Sequence, residues 1–323
     1  MAKYLVTGSA GFIGSSIARE LVRRGEDVRG LDDFSTGKWE NIEEIKDSID
    51  FRGVSLLDQA SVASACNGVD YVIHQAALPS VPKSVAEPEL THAVNVNGTL
   101  NLLLAARDAG VKRVVYVASS SAYGDSETLP KHEGMVPRPI SPYAVQKLTG
   151  EYYMQTFSAV YGLETVALRY FNIFGPRQDA NSQYSAVLAK FITQMQQGEA
   201  PTIFGDGEQS RDFTFVANAV QANLKACVAP AHEVSGKVFN IATGTRFSLN
   251  QTYEMLRKII GFSGAIKYTS ARTGDVKHSL ADISLAQKHL GYSVEVSFEE
   301  GLRRTVAWYQ QSAAQPQTVA AHA

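Results

Sequence analysis

Cysteine is almost missing from this sequence. The two present, Cys66 and Cys227, belong to no Cys-x-x-Cys pair, and no ligand spacing for a metal is found. They are expected to be buried free thiols, as in a reducing compartment. Excess charge is missing too: 30 Lys and Arg against 32 Asp and Glu leave −2, no electrostatic footprint for nucleic acid or an anionic membrane surface. No apolar run approaches the roughly 20 residues of a membrane span. Met1-Ala-Lys3 leads straight into an apolar strand and a glycine turn, with no h-region, so no signal peptide is expected and a cytoplasmic location is. No internal repeat is found. What remains is ordinary: 45% hydrophobic and 19% charged residues over 323 positions exclude global disorder and suffice for about two domains.

The first 170 residues alternate short β-rich runs with helical periods. Tyr4–Thr7, Asp27–Leu31, Phe51–Val54, Tyr71–His74, Val114–Ala118 and Thr165–Arg169 read as strands. Helical patterns cover Phe12–Arg24, a stretch from Asp58, about Pro88–Ala109, and Ser141–Tyr161. Strands that are continuous Val/Ile/Leu runs between helices predict a parallel sheet covered on both faces, a doubly wound α/β (Rossmann) domain. After Asn172 turn signals multiply, and helical patterns persist near 186–197, 216–228, 249–259, 282–290 and 298–311. The division expected is a dinucleotide-binding domain over 1–171 with return elements at about 213–242. A smaller C-terminal α/β substrate domain takes 172–212 and 243–312, and 313–323 form a frayed tail.

Gly8-Ser-Ala-Gly11-Phe-Ile-Gly14 lies between the first strand and the first helix. Gly8 permits the tight turn, Gly11 lets the backbone approach a pyrophosphate, and Gly14 lets helix pack on strand, with the helix N-terminus facing the phosphates. Asp32 ends the second strand. A carboxylate there binds both hydroxyls of an adenosine ribose and repels a 2′-phosphate, which favours NAD over NADP. In Ser141-Pro-Tyr143-Ala-Val-Gln-Lys147, Ser141 is an N-cap and Pro142 the first helical residue, so Tyr143 and Lys147 share one helix face. A neighbouring ammonium and the positive end of the helix are expected to lower the phenol toward neutrality, where it can act as a general base. Ser119-Ser120-Ser121 follow a strand end, where hydroxyls open into a ligand crevice.

With these segments in order, the chain resembles the extended short-chain dehydrogenase/reductase family, and within it the nucleotide-sugar 4-epimerases. The resemblance also rests on Asp32-Asp-Phe-Ser-Thr-Gly37, His74-Gln-Ala-Ala77, Asn95-Val-Asn-Gly-Thr99, Arg169-Tyr-Phe-Asn172, Gly205 to Asp212, and Arg272-Thr-Gly-Asp275. It implies Ser119, Tyr143 and Lys147 as catalytic residues. It implies NAD held by Gly8, Gly11, Phe12, Ile13, Gly14, Asp32, Phe34, Ser35, Thr36, Gly37, Leu56, Ala76, Ala77, Tyr143, Lys147 and Tyr170. Ser55 stands where relatives often carry an adenine-binding Asp. A UDP-sugar is implied at Ser119, Ser120, Ser121, Tyr143, Asn172, Arg211, Arg272, Asp275 and Ser279. Related dehydratases and decarboxylases carry an acid just after the catalytic Ser/Thr, where this chain has Ser120 and Ser121. Ser279 replaces the bulky tyrosine of glucose-restricted relatives and leaves room for an N-acetyl group, so UDP-N-acetylglucosamine and UDP-N-acetylgalactosamine are the implied substrates, with UDP-glucose also turned over. A UDP-glucuronate 4-epimerase and a non-catalytic NAD-binding scaffold are the alternatives. A homodimer is implied through a four-helix bundle of the helices near 88–109 and 141–161.

Overall fold

A computed structural model describes residues 1–180, 187–270 and 277–314. The alternation read from the sequence becomes β1 (Lys3–Thr7), α1 (Phe12–Arg23), β2 (Asp27–Asp32), β3 (Asp50–Gly53), α2 (Gln59–Cys66) and β4 (Tyr71–His74). There follow α3 (Val81–Ala86), α4 (Pro88–His92), a π-helical turn (Ala93–Asn97), α5 (Gly98–Asp108), β5 (Arg113–Ser119), a 3-10 turn (Ser120–Tyr123), α6 (Pro142–Tyr161) and β6 (Glu164–Tyr170). Each strand is short, and alternate side chains enter opposite faces. Tyr4 and Val6 join one apolar cluster while Leu5 joins the other, and Val115 and Val117 oppose Val114, Tyr116 and Ala118. Helices α1 and α8 (Val216–Val228) cover the first face; α2, α5 and α6 cover the second.

The rest of the chain forms β7 (Ile173–Phe174), α7 (Val187–Gln196), β8 (Thr202–Phe204), β9 (Ser210–Arg211) and β10 (Thr214–Phe215), which precede α8. After it come α9 (Ala231–Val234), β11 (Lys237–Ile241), β12 (Phe247–Ser248), α10 (Leu249–Ile260), β13 (Lys267–Thr269), α11 (Ser284–Leu290) and α12 (Phe298–Ala314). β11 pairs in parallel with β6, completing a seven-stranded parallel sheet in the order β11-β6-β5-β4-β1-β2-β3. β7 with β10, β9 with β12, and β8 with β13 make three two-stranded ribbons beside α7, α10 and α12. Phe174, Phe213, Phe215 and Phe298 pack edge-to-face and stacked beneath them. Residues 315–323, most of the expected tail, lie outside the described residues. Cys66 and Cys227 are free and buried. Among the described residues no helix is long and apolar enough to cross a membrane.

The strand order reverses between β1 and β4, and ligands of such sheets bind beyond the carboxyl ends of the strands at that point. Thr7 pairs with both Leu31 and His74 there. β5 and β6 run on past the end of β4, with Ser119 opposite Tyr170, so these two residues overhang the crevice.

Candidate active site

Gly8 has φ +68°, and a Cβ on it would stand 2.7 Å from the Ala76 nitrogen. The turns after β1 and β4 therefore touch through a position only glycine can fill. A Cβ on Gly14 would lie 2.0 Å from the Gly8 carbonyl oxygen, so α1 packs on its own turn. Gly11 is the N-cap of α1; it brings no side-chain cap, and the first turn, with Phe12 and Ile13, holds no acid. An uncapped helix end behind a glycine cradle fits a diphosphate.

Asp32 is buried at the end of β2. Its Oδ2 accepts from Ala10 N (2.9 Å) and its Oδ1 from Phe34 N (2.8 Å). Burial pushes its carboxyl up, and these N–H bonds oppose the shift. A Cβ on Gly37 would stand 2.7 Å from Oδ1, so Gly37 keeps space beside the carboxylate. Ser35 N donates to Asp33 Oδ1 (3.0 Å), while the exposed Phe34 ring leans on Trp39 and Phe51. Thr36 is exposed. Leu56 is buried against α5, where a Cβ on Gly98 would stand 2.8 Å from its Cβ. Ser55 Oγ accepts from Leu57 N (3.4 Å), and Asp58 is spent capping α2 through Ser61 N.

The Tyr143 phenol interacts with Ser119, and Ser121 Oγ donates to Ser119 Oγ (2.8 Å) from the 3-10 turn that Ser120 opens. Lys147 Nζ lies 4.7 Å over the Tyr116 ring, on the same face of α6 as Tyr143. The charge states differ from the sequence expectation. Burial pushes the Tyr143 phenol up to about 12, with Ser119 opposing, instead of lowering it. Burial also brings the Lys147 ammonium down to about 7, with Glu151 opposing. A desolvated phenolate is costly, and an amine that is itself partly discharged repays little of that cost.

Sequence reasoning missed the groups behind this pair. Glu151 lies one further turn along α6, and its carboxylate takes a forked bond from Arg169 (2.9 and 2.7 Å), both side chains buried. The i, i+4, i+8 spacing of Tyr143, Lys147 and Glu151 was the available signal. His74 is buried beneath Lys147. Burial, then the Lys147 charge, brings its imidazole down to about 3, so it is neutral. The Thr99 hydroxyl donates to Asn95 O (2.7 Å), so His74 Nε2 must donate to Thr99 (3.0 Å) and Nδ1 accept from Thr7 (2.8 Å). Thr7 in turn accepts from Ala76 N (3.2 Å), which fixes the turn holding Ala76 and Ala77 against Gly8. Tyr170 overhangs the crevice by its backbone, but its hydroxyl is committed to Asn223 and to Gln75 Nε2 (3.2 Å). Its side chain thus belongs to the packing under α8.

On the far side of the crevice, Asn172 adopts φ 40° and donates to Asp212 O (3.0 Å). Arg211 Nη1 donates to Ser210 O (3.0 Å) and Lys277 O (3.2 Å). Ser279 N donates to Ser210 O (3.0 Å), so Ser279 is laced to the residue before Arg211. Arg272 and Asp275 lie outside the described residues. Burial, then Arg246, Lys277 and Arg211, pushes the His278 imidazole down. These three cations act on one imidazole, with the Asp206 carboxylate opposing; Arg246 and Lys277 carried no motif.

Residues 4–242 match the model of the family described as "NAD dependent epimerase/dehydratase family". The chain is 40% identical to UDP-N-acetylglucosamine 4-epimerase from Methanobrevibacter ruminantium, solved with UDP-N-acetylmuramic acid, at TM-score 0.92 over 96% of this chain and 99% of that one. UDP-glucose 4-epimerase from Thermus thermophilus, solved with NAD, is 34% identical at TM-score 0.86 over 95% and 99%. UDP-glucuronate 4-epimerase from Thermodesulfobacterium geofontis is 34% identical over 97% of both chains. With its glycine cradle, Asp32 and this match over most of its length, the chain belongs to the NAD dependent epimerase/dehydratase family and is an enzyme that uses NAD.

Proposed function

We propose that this enzyme inverts carbon 4 of UDP-sugars, interconverting UDP-N-acetylglucosamine and UDP-N-acetylgalactosamine and also turning over UDP-glucose and UDP-galactose. The observation that carries the reading is Ser119 at the overhanging end of β5, held by Ser121 and interacting with Tyr143 on the α6 face that also carries Lys147, across a crevice from the uncapped glycine turn of α1. Ser119 aligns the sugar 4-hydroxyl, and Tyr143 takes its proton and later returns it to the inverted alcohol. Ser121 donates to Ser119 and fixes which way that hydroxyl points. Lys147 holds the nicotinamide ribose beside the phenol. NAD, held by the Gly8–Gly14 turn, Asp32 and Lys147, would supply the hydride acceptor for C4 and the donor that returns it to the other face. The positions after Ser119 are Ser120 and Ser121, so no acid stands ready there for elimination or decarboxylation.

Arg211 with Arg272 holds the diphosphate, Asp275 the uridine ribose, and Asn172 lies beside the diphosphate. Ser279 sits at C2 of the sugar; its backbone tie to Ser210 supports placing it at the phosphate-side wall. The dinucleotide-binding part is 1–171 with about 213–242, and the substrate part 172–212 with 243–312. We infer a homodimer: Leu90 on α4 and Val145, Tyr152 and Val160 on α6 are exposed apolar residues on the helices that would pair. Two buried thiols left unpaired support a cytoplasmic setting.

The test is incubation of purified enzyme with UDP-N-acetylglucosamine, UDP-glucose and UDP-glucuronate separately, scoring 4-epimers by NMR. Epimers from the first two support the reading. Turnover of the glucuronate alone, or loss of carbon dioxide or water in place of inversion, overturns it.

A further inference from the structure

We propose that Ser84 on α3 is the positioning residue that sets Tyr143 for proton transfer; this rests on the reading of Tyr143 as the base. The first turn of α6 has few backbone donors to satisfy. Pro142 has no N–H, and Ala144 N donates to Ser141 Oγ (3.2 Å). The remaining donor is the N–H of Tyr143 itself, and it goes to Ser84 Oγ (3.0 Å), 59 residues back in the chain. Ser84 is 0% exposed, and its own hydroxyl proton goes to Val81 O (2.7 Å), so a lone pair stays aimed at Tyr143. α3 is itself fixed, because Ser80 Oγ caps it on Lys83 N (2.9 Å).

A second tether enters one turn later. Gln146 accepts from Asn95 Nδ2 (2.9 Å), and Asn95 Oδ1 accepts from Leu78 N (2.8 Å). The base is thereby registered, at residues 143 and 146, to the segment that leaves the Ala76–Ala77 turn. The side that would hold the cofactor and the helix that carries the base then share one frame. Ser84 is buried and meets residue 143 at its backbone N–H. It acts through the backbone of residue 143, and small displacements of a reacting group are costly in rate.

Ser84→Ala removes the acceptor and keeps the shape. kcat on UDP-N-acetylglucosamine is expected to fall about 10- to 100-fold, with KM and NAD content unchanged. In a Tyr143→Phe background the same change is expected to alter the residual rate by less than about twofold, because the two act as one unit. Equal losses in both backgrounds, a KM rise matching the kcat loss, or wild-type kcat in Ser84→Ala each overturn the proposal. If Ser84→Ala does not fold, Ser84→Cys, a weak acceptor of similar shape, carries the same expectation, and wild-type kcat in it overturns the proposal. Near-wild-type turnover in Tyr143→Phe alone brings down the base reading itself. Additive losses with a crippled Tyr143→Phe bring down only the role of Ser84.

Discussion

Gly14→Ala is the sharpest perturbation of the cofactor cradle. The new Cβ would stand 2.0 Å from the Gly8 carbonyl oxygen, 2.7 Å from the Gly8 carbonyl carbon and 3.2 Å from Ser9 Cα. All three neighbours are backbone, so no side chain can swing away. To reach ordinary contact, α1 and the Gly8–Gly11 turn must part by more than 1 Å. Alanine inside a helix gains about 1 kcal/mol over glycine, while overpacking of a well-packed site costs about 1–3 kcal/mol and more when backbone must move. The net expectation is a loss of about 1–2 kcal/mol of stability. NAD retention should fall further still, because the displaced turn also carries the Gly8–Ala76 contact and the Ala10 N–H on Asp32. The assay is urea unfolding alongside the NAD content of the purified protein. A variant with unchanged midpoint and full NAD content would refute the cradle argument, since the clash would then be relieved at no cost to the phosphate side.

Tyr143→Phe should lose about 10²- to 10⁴-fold in kcat while NAD still copurifies; a variant within about fivefold of wild type removes Tyr143 from its role. His74, neutral in the fold with its imidazole down at about 3 against an ordinary 6.5, binds fewer protons folded than unfolded between those values. Its contribution is therefore present above pH 6.5 and lost as pH falls from 6.5 toward 3, at up to about 1.4 kcal/mol per pH unit. His74→Gln should flatten the urea midpoint between pH 6.5 and 5, and an unchanged slope counts against the buried-neutral assignment. Ser279→Tyr should depress kcat/KM on the N-acetylated substrates by about 5- to 150-fold and spare UDP-glucose; equal losses on both end the gate assignment. Light scattering should give a dimer, and Val145→Glu on the exposed face of α6 a monomer; a monomeric parent protein at micromolar concentration ends that reading.

The parts legible in the sequence were those with a period or a forced conformation. Six of the seven sheet strands were legible, with β11 only part of a stretch expected to return to the sheet, and α6 was legible as a Ser cap with Pro142 opening a twenty-residue helix. The glycine turn was legible because only glycine tolerates those contacts. α3 was not: Val81–Ala86 is six residues with a proline at its start, too short for a helical period to register. Without α3 there was no reason to weigh Ser84. The π-helical turn over Ala93–Asn97 was hidden for the opposite reason, since it interrupts a helical run at both of whose ends the ordinary period holds. The ribbons of two or three residues, such as Ser210–Arg211, owe their existence to partners far along the chain, so no local signal marks them.

The charge states were illegible because they are tertiary quantities. In the sequence Tyr143 and Lys147 are a phenol and an ammonium one turn apart, and an isolated helix would favour the ion pair. In the fold Lys147 sits on the Tyr116 ring above a neutral His74, with Glu151 as the neighbouring carboxylate. Glu151 is already bound through both oxygens to Arg169, so little of its charge is left to hold a proton on Lys147. Both members of the pair then drift toward their neutral forms, the phenol to about 12 and the amine to about 7. Such a site holds no standing phenolate in the protein by itself. Any positive charge brought against the phenol lowers the cost of its anion, so the base is made in the assembled complex and spared from idle proton exchange outside it. Glu151→Gln tests this account. With the carboxylate charge gone, Arg169 becomes an unbalanced buried cation behind Lys147, which favours the neutral amine and the anionic phenol alike. The acidic limb of the kcat profile should then move to lower pH, and a limb left in place would refute the account.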